Sequence, residues 1–146
     1  MDDFAGVGRS GRRAYAVGIV GVLPVPLVWG SGYGELSLPF LVVGAVAMLV
    51  AALTVPGPLA DPAVATARGA ANWALTVLGL IGVYAVATAA LPIPDSWPLW
   101  LPGLFWGALH VAHVAVVVGG VALARPGKAL RNAVAVPFLS TSEPRA

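Results

Sequence analysis

His110 and His113 stand three residues apart in Gly107-Ala-Leu-His-Val-Ala-His-Val-Ala115, one of the most apolar runs of the chain. An imidazole can ligate a metal, hold a haem iron, relay a proton, or donate one hydrogen bond while accepting another. Each use needs different partners, and the sequence supplies them unevenly. A zinc site takes three or four nitrogen, sulfur or oxygen ligands. The chain has no cysteine, these are its two histidines, and the apolar segments hold no Asp or Glu, so one copy cannot complete such a site. Haem requires an axial ligand on each side of the iron, and two histidines on one helix face cannot supply both. Met48 is the candidate His/Met partner within the chain, and a histidine of a second copy is the other. His110, His113 and Met48 are therefore the candidate cofactor-binding residues, with haem b as the group they would hold.

A proton or solute path could use Asn72, Thr76, Tyr84 and Thr88, a loose spiral of hydrogen-bonding groups on one predicted helix. It would lack a carboxylate at depth. The plainest use of the histidines is structural: neutral rings in a dry setting, bonded across helices to Thr, Tyr or a carbonyl at about 0.6 kcal/mol each. Catalysis has little to build on. Glu35 and Asp95 are isolated in turns, and no Ser/His/Asp set, carboxylate pair or phosphate-cradling glycine loop can be assembled. No enzymatic activity is expected.

The elements that must position these residues follow from composition. Hydrophobic residues make up 59% of the 146 and charged residues 10%, with a mean hydropathy of +0.90. A soluble domain carries about 25% charged residues. The expected class is an all-α integral membrane protein. Four apolar segments, 14–30, 37–55, 70–91 and 99–124, form a 14–124 transmembrane domain between tails 1–13 and 125–146. Crossing a hydrocarbon core takes about 20 residues, which the last three segments provide unaided. The first carries Pro24 and Pro26 and should kink. Ser10 to Tyr15 ahead of it also reads as a twin-arginine leader, but no A-x-A-like site follows. Both tails are expected to be solvated and too short to form a domain.

Asp61-Pro62 reads as an N-cap followed by proline at the first helical position, so the third helix should begin two turns before its apolar core. Ser37 and Ser96 are further candidate caps. Trp29, Trp97 and Trp100 mark one interface, and Tyr15 and Trp73 the other. All eight Lys/Arg fall in the two tails or between the second and third segments, while the loops around Glu35 and Asp95 contain none. The positive-inside rule then puts both termini in the cytoplasm of a multi-pass cell-membrane protein. Arg dominates the basic set, and Ala, Gly, Val and Pro are abundant, a vocabulary that suggests a GC-rich prokaryote. No basic cluster is interleaved with aromatics, so nucleic acid is not an expected partner.

The halves resemble each other at an offset of about sixty residues. Gly18-Ile-Val-Gly-Val22 parallels Gly79-Leu-Ile-Gly-Val83, and Leu38-Pro-Phe-Leu-Val-Val-Gly-Ala45 parallels Leu101-Pro-Gly-Leu-Phe-Trp-Gly-Ala108. Two tandem helical hairpins would produce this, and so would chance in so restricted a vocabulary. Between helices in lipid, small residues permit close backbone approach. Gly18, Gly21, Gly79, Gly82, Gly103 and Gly107 are the expected packing residues, in a four-helix transmembrane bundle or against further copies. The leading functional reading is a non-catalytic subunit or scaffold that packs in the bilayer as a homo-oligomer or within a larger complex. A haem- or quinone-handling redox subunit comes second, and a small proton or solute conduit third.

Overall fold

The longest helix begins where its cap sits. Asp61 accepts the N–H of Ala63 on its side chain at 2.8 Å and the N–H of Ala65 on its carbonyl at 3.0 Å, so orphan donors of the first turn are met. Pro62 has no N–H to satisfy at the first helical position. The helix runs Pro62–Ala90, 29 residues, about 43 Å at 1.5 Å per residue. The computed structural model describes residues 11–22, 37–90, 100–125, 127–130 and 134–139, and for residues 37 and 100–103 the backbone alone. Among these residues the chain is mostly helical and has no strand. Residues 11–16 are α-helical and tighten into a 3-10 turn, Val17–Gly21, a common ending ahead of a proline such as Pro24. Three helices follow: α1 (Ser37–Leu53), α2 (Pro62–Ala90) and α3 (Trp100–Leu123). After α3, a bridge from Arg125 to Lys128 closes a turn on Gly127, whose φ of 76° suits glycine.

The third predicted segment starts early, as the cap demands. The second stops at Leu53 instead of residue 55. Thr54 bonds back to the Ala51 carbonyl, and Pro56 and Gly57, the latter with φ 132°, turn the chain toward α2. At 17 residues α1 falls short of a full crossing by itself. Two stretches, Pro62–Ala90 and Leu104–Leu123, are long and apolar enough to cross a membrane. Residues 23–36 and 91–99, with Ser96, Trp29 and Trp97, lie outside the described residues.

The segments close into a ring: the N-terminal segment packs on α1 and α3, and α2 packs on the same two helices. The tightest seam is glycine on glycine. A Cβ on Gly44 would stand 2.5 Å from the Gly21 nitrogen and 3.1 Å from the Gly18 carbonyl, so only hydrogen fits. Gly120 of α3 gives up the same space to the ring of Tyr15.

Large apolar side chains do not all turn inward. The buried part of α2 combines six Ala with Val64, Trp73 and Val77 and with Thr66, Gly69, Asn72 and Thr76. Exposed positions include Phe40, Val43, Val50, Val83, Val111 and Val118. Small and polar side chains share the inside with Leu41, Met48, Leu109 and Val117, while many large apolar side chains face outward. Tyr15 and Trp73, expected as interfacial rings, are both buried, because each has a specific seat between helices: Tyr15 over Gly120, Trp73 against His113.

The C-terminal tail is not solvated throughout. Leu130 donates its N–H to Thr66 Oγ1 at 3.0 Å, Val136 to Thr76 Oγ1 at 2.9 Å, and Leu139 to Asn72 Oδ1 at 2.6 Å. Asn72 Nδ2 returns a bond to the Leu139 carbonyl at 2.9 Å. The chain thus lies along α2 as far as Thr76 and doubles back to Asn72, with a Phe138 N–H to Val136 carbonyl bond at the bend. Leu130, Ala135 and Leu139 pack on the core.

Candidate functional site

His113 sits where three elements meet. It is fully buried, and Trp73 of α2 donates its indole N–H to Nδ1 at 3.2 Å. The two rings lie 27° from parallel with centroids 6.5 Å apart, an arrangement that suits an N–H···N bond rather than a face-to-face stack. Because indole can only donate, Nδ1 must carry the lone pair. The proton is then on Nε2, which donates it to the Gly18 carbonyl at 3.1 Å. That assignment follows from the partners. Both nitrogens are used, so His113 ties α3 to α2 and to the N-terminal segment and has no lone pair left for iron.

His110, one turn away, is arranged differently. It is 2% exposed, and its Nδ1 donates to the carbonyl of Trp106 in its own helix at 2.8 Å. Nε2 then holds a lone pair, and it is buried without a hydrogen-bond partner. A histidine whose other ring nitrogen is bonded to a backbone carbonyl has the pre-set tautomer of a metal or haem ligand. The position is fixed from below: Trp106, Phe105 and Tyr84 form an aromatic cluster with centroids 4.7 to 5.0 Å apart. The pairs contribute about 0.5–1.5 kcal/mol each beyond buried area.

The other expected residues are only partly brought to this place. Met48 is buried and its sulfur packs at Gly18, on the His113 side, where no imidazole nitrogen is free. The His113/Met48 axial pair is therefore a poor fit. Gly18 and Gly21 do pack, against Val117, Met48, His113 and α1. Gly107 is buried, while for Gly103 only the helical backbone is described. Gly79 and Gly82 differ: a Cβ on either would meet nothing within 4 Å among the described residues, so neither packs against a described helix. If the halves are repeats, their glycines make a close approach in the first hairpin and leave an open face in the second.

The polar spiral also divides. Asn72 and Thr76 grip the C-terminal segment, Thr76 and Thr88 donate to carbonyls of their own helix, and Tyr84 stacks in the aromatic cluster. The contribution of the tail departs from the expectation of a solvated segment, and its signal is the apolar run Ala133-Val-Ala-Val-Pro-Phe-Leu139. A lone Asn in an apolar helix was the signal that a main chain had to be met.

Among the described residues no group of three or more His, Cys, Asp or Glu could hold a metal. Two cavities, about 420 and 490 Å³, open at the opposite end from the aromatic cluster, and neither is lined by His110, His113, Met48 or Tyr84. That end gathers Arg12, Arg13, Arg68, Arg125 and Lys128 against Asp61, the single carboxylate among the described residues. Compared with known proteins, the chain matches no family model, no curated protein and no solved structure.

Proposed function

We propose that this chain is a small multi-pass membrane protein, a four-segment bundle with both ends in the cytoplasm, acting as a non-catalytic subunit or scaffold of a membrane assembly. The observation that carries the reading is the outside of the molecule: large apolar groups such as Phe40, Val43, Val83, Val111 and Val118 are exposed, while Thr66, Asn72, Thr76, His110 and His113 are buried among apolar side chains. An apolar exterior of this extent is a liability in water and a solvent match in lipid, where close packing of small residues replaces the hydrophobic drive. His113, Asn72, Thr66 and Thr76 bond to the chain's own backbone or to Trp73, which favours structure over transport or chemistry. The open Gly79 and Gly82 face leaves a surface for other copies or subunits.

The chain has no native cysteine, so single cysteines report without background. Cysteines at Arg12, Lys128 and Glu35 test the topology. The first two should react with an impermeant maleimide only from the cytoplasmic side, and Glu35→Cys only from outside. Extraction by alkaline carbonate, or labelling of Arg12→Cys from outside, refutes the arrangement. The scaffold role predicts that liposomes holding the protein leak protons no faster than empty ones. A flux abolished by His110→Ala would establish a conduit instead.

A second reading rests on His110 Nε2. Its buried lone pair would be the nitrogen to ligate a haem iron, in a site that a second copy would have to complete. Protein purified in mild detergent from haem-replete cells would show a Soret band lost in His110→Ala and kept in His113→Gln. A colourless preparation ends this reading.

A further inference from the structure

The 420 Å³ cavity lies between the start of the N-terminal segment, the first turn of α2 and the turn after α3. Gly11 and Ala63 form its floor by direct contact, because a Cβ on Gly11 would stand 2.8 Å from the Ala63 carbonyl oxygen. Its polar lining is Arg12, Arg125, Asp61 and Thr66. Among the described residues neither arginine forms an ion pair, and Asp61 caps α2 through the Ala63 N–H. Thr66 Oγ1 accepts the Leu130 N–H, which leaves its hydroxyl proton free to donate. Two unpaired guanidinium groups from different elements, a hydroxyl donor and a positive helix N-terminus therefore converge on one concave space. Asp61, the single carboxylate among the described residues, offsets only one of the two charges.

We propose that this cavity binds a phosphate-bearing anion, with the phosphodiester of an anionic phospholipid headgroup as its source. Arg12 and Arg125 are the residues that take the phosphate oxygens, by charge-assisted bonds for which the planar guanidinium is suited. The phosphate chemistry stands on the cavity alone. The lipid source rests on the membrane reading, which places this basic end at the cytoplasmic interface, where anionic headgroups collect. Phosphate from solution is the alternative source.

The test uses the full chain in dodecyl maltoside, titrated with short-chain phosphatidylglycerol, short-chain phosphatidylcholine or inorganic phosphate, with binding followed by native mass spectrometry and thermal shift. Phosphatidylglycerol should bind at least tenfold more tightly than phosphatidylcholine. Arg12→Gln or Arg125→Gln should each weaken it roughly fivefold and the double variant roughly thirtyfold, at about 1 kcal/mol per basic residue. Arg12→Lys/Arg125→Lys keeps the charges and should retain most of the binding, and it guards against loss through misfolding. Arg13→Gln/Lys128→Gln removes two charges from the same end outside this cavity and should change affinity less than threefold. An equal loss in that control, or no preference for the anionic lipid, overturns the proposal. Competition by inorganic phosphate at matching concentration supports the site and assigns it to soluble phosphate, whereas no competition assigns it to lipid. Carbonate extraction from membranes would remove the membrane reading and leave these titrations interpretable.

Discussion

Replacing Gly44 with Ala is the sharpest perturbation of the seam between the N-terminal segment and α1. The added Cβ would lie 2.5 Å from the Gly21 nitrogen, 2.7 Å from its Cα and 3.1 Å from the Gly18 carbonyl oxygen. All three are backbone atoms, so no rotamer relieves the clash. Ordinary contact begins near 3.4 Å, so the N-terminal segment or α1 must retreat by about 1 Å, comparable with displacements that overpacked cores accommodate at roughly 1–3 kcal/mol. The retreat also draws the Gly18 carbonyl from His113 Nε2, now 3.1 Å away, at about 0.6 kcal/mol for an interhelical bond in a membrane protein. Alanine offsets up to about 1 kcal/mol through its better helix propensity. The net expectation is a loss of about 1–3 kcal/mol. Gly79→Ala is the matched control: nothing lies within 4 Å, so only the propensity gain remains, and the variant should be neutral or stabilised by about 0.5–1 kcal/mol. Reversible unfolding by SDS titration in mixed micelles, followed by circular dichroism, measures both. Equal stability of the two variants, or Gly79→Ala as the weaker, refutes the placement of the glycine seam.

Trp73→Phe keeps an aromatic ring but removes the donor to His113 Nδ1, and should cost about 0.6–1.7 kcal/mol in the same titration. His113→Ala on that background should then add less than it does to the wild type, which a double-mutant cycle reads directly. Asn72→Ala should release the C-terminal segment: hydrogen exchange at the Leu139 and Val136 amides, slow in the wild type, should speed at least tenfold at Leu139. Unchanged protection there would mean the tail is held by something other than Asn72. Tyr15→Phe removes a buried hydroxyl with no partner and should leave stability unchanged or raise it by up to about 1 kcal/mol; a loss of that size would show that the hydroxyl is bonded.

Much of the scaffold was legible because its signals are local. The Asp61-Pro62 start of α2 rests on one cap and one proline, and the helix begins there. The gathering of Arg12, Arg68 and Arg125 at one end follows from antiparallel threading alone. The site was less legible because its residues differ only through neighbours. His110 and His113 share a helix, a burial and an apolar setting, and nothing within Gly107 to Ala115 separates them.

By itself the sequence determined, among the described residues, a mostly helical chain, the Asp61-Pro62 start of α2 and the gathering of Arg12, Arg68 and Arg125 at one end, since caps and charge act over a few residues. Tertiary structure alone decided which glycines touch: Gly18 and Gly21 meet α1, while Gly79 and Gly82, in the same motif, meet nothing among the described residues. It also decided that Asn72 grips Leu139, 67 positions away, that His113 is bonded on both nitrogens and that His110 keeps one bare. The physical reason is the range of the interactions. A hydrogen bond or a close backbone contact is settled by a few tenths of an ångström between segments far apart in the chain, and no local pattern encodes that distance.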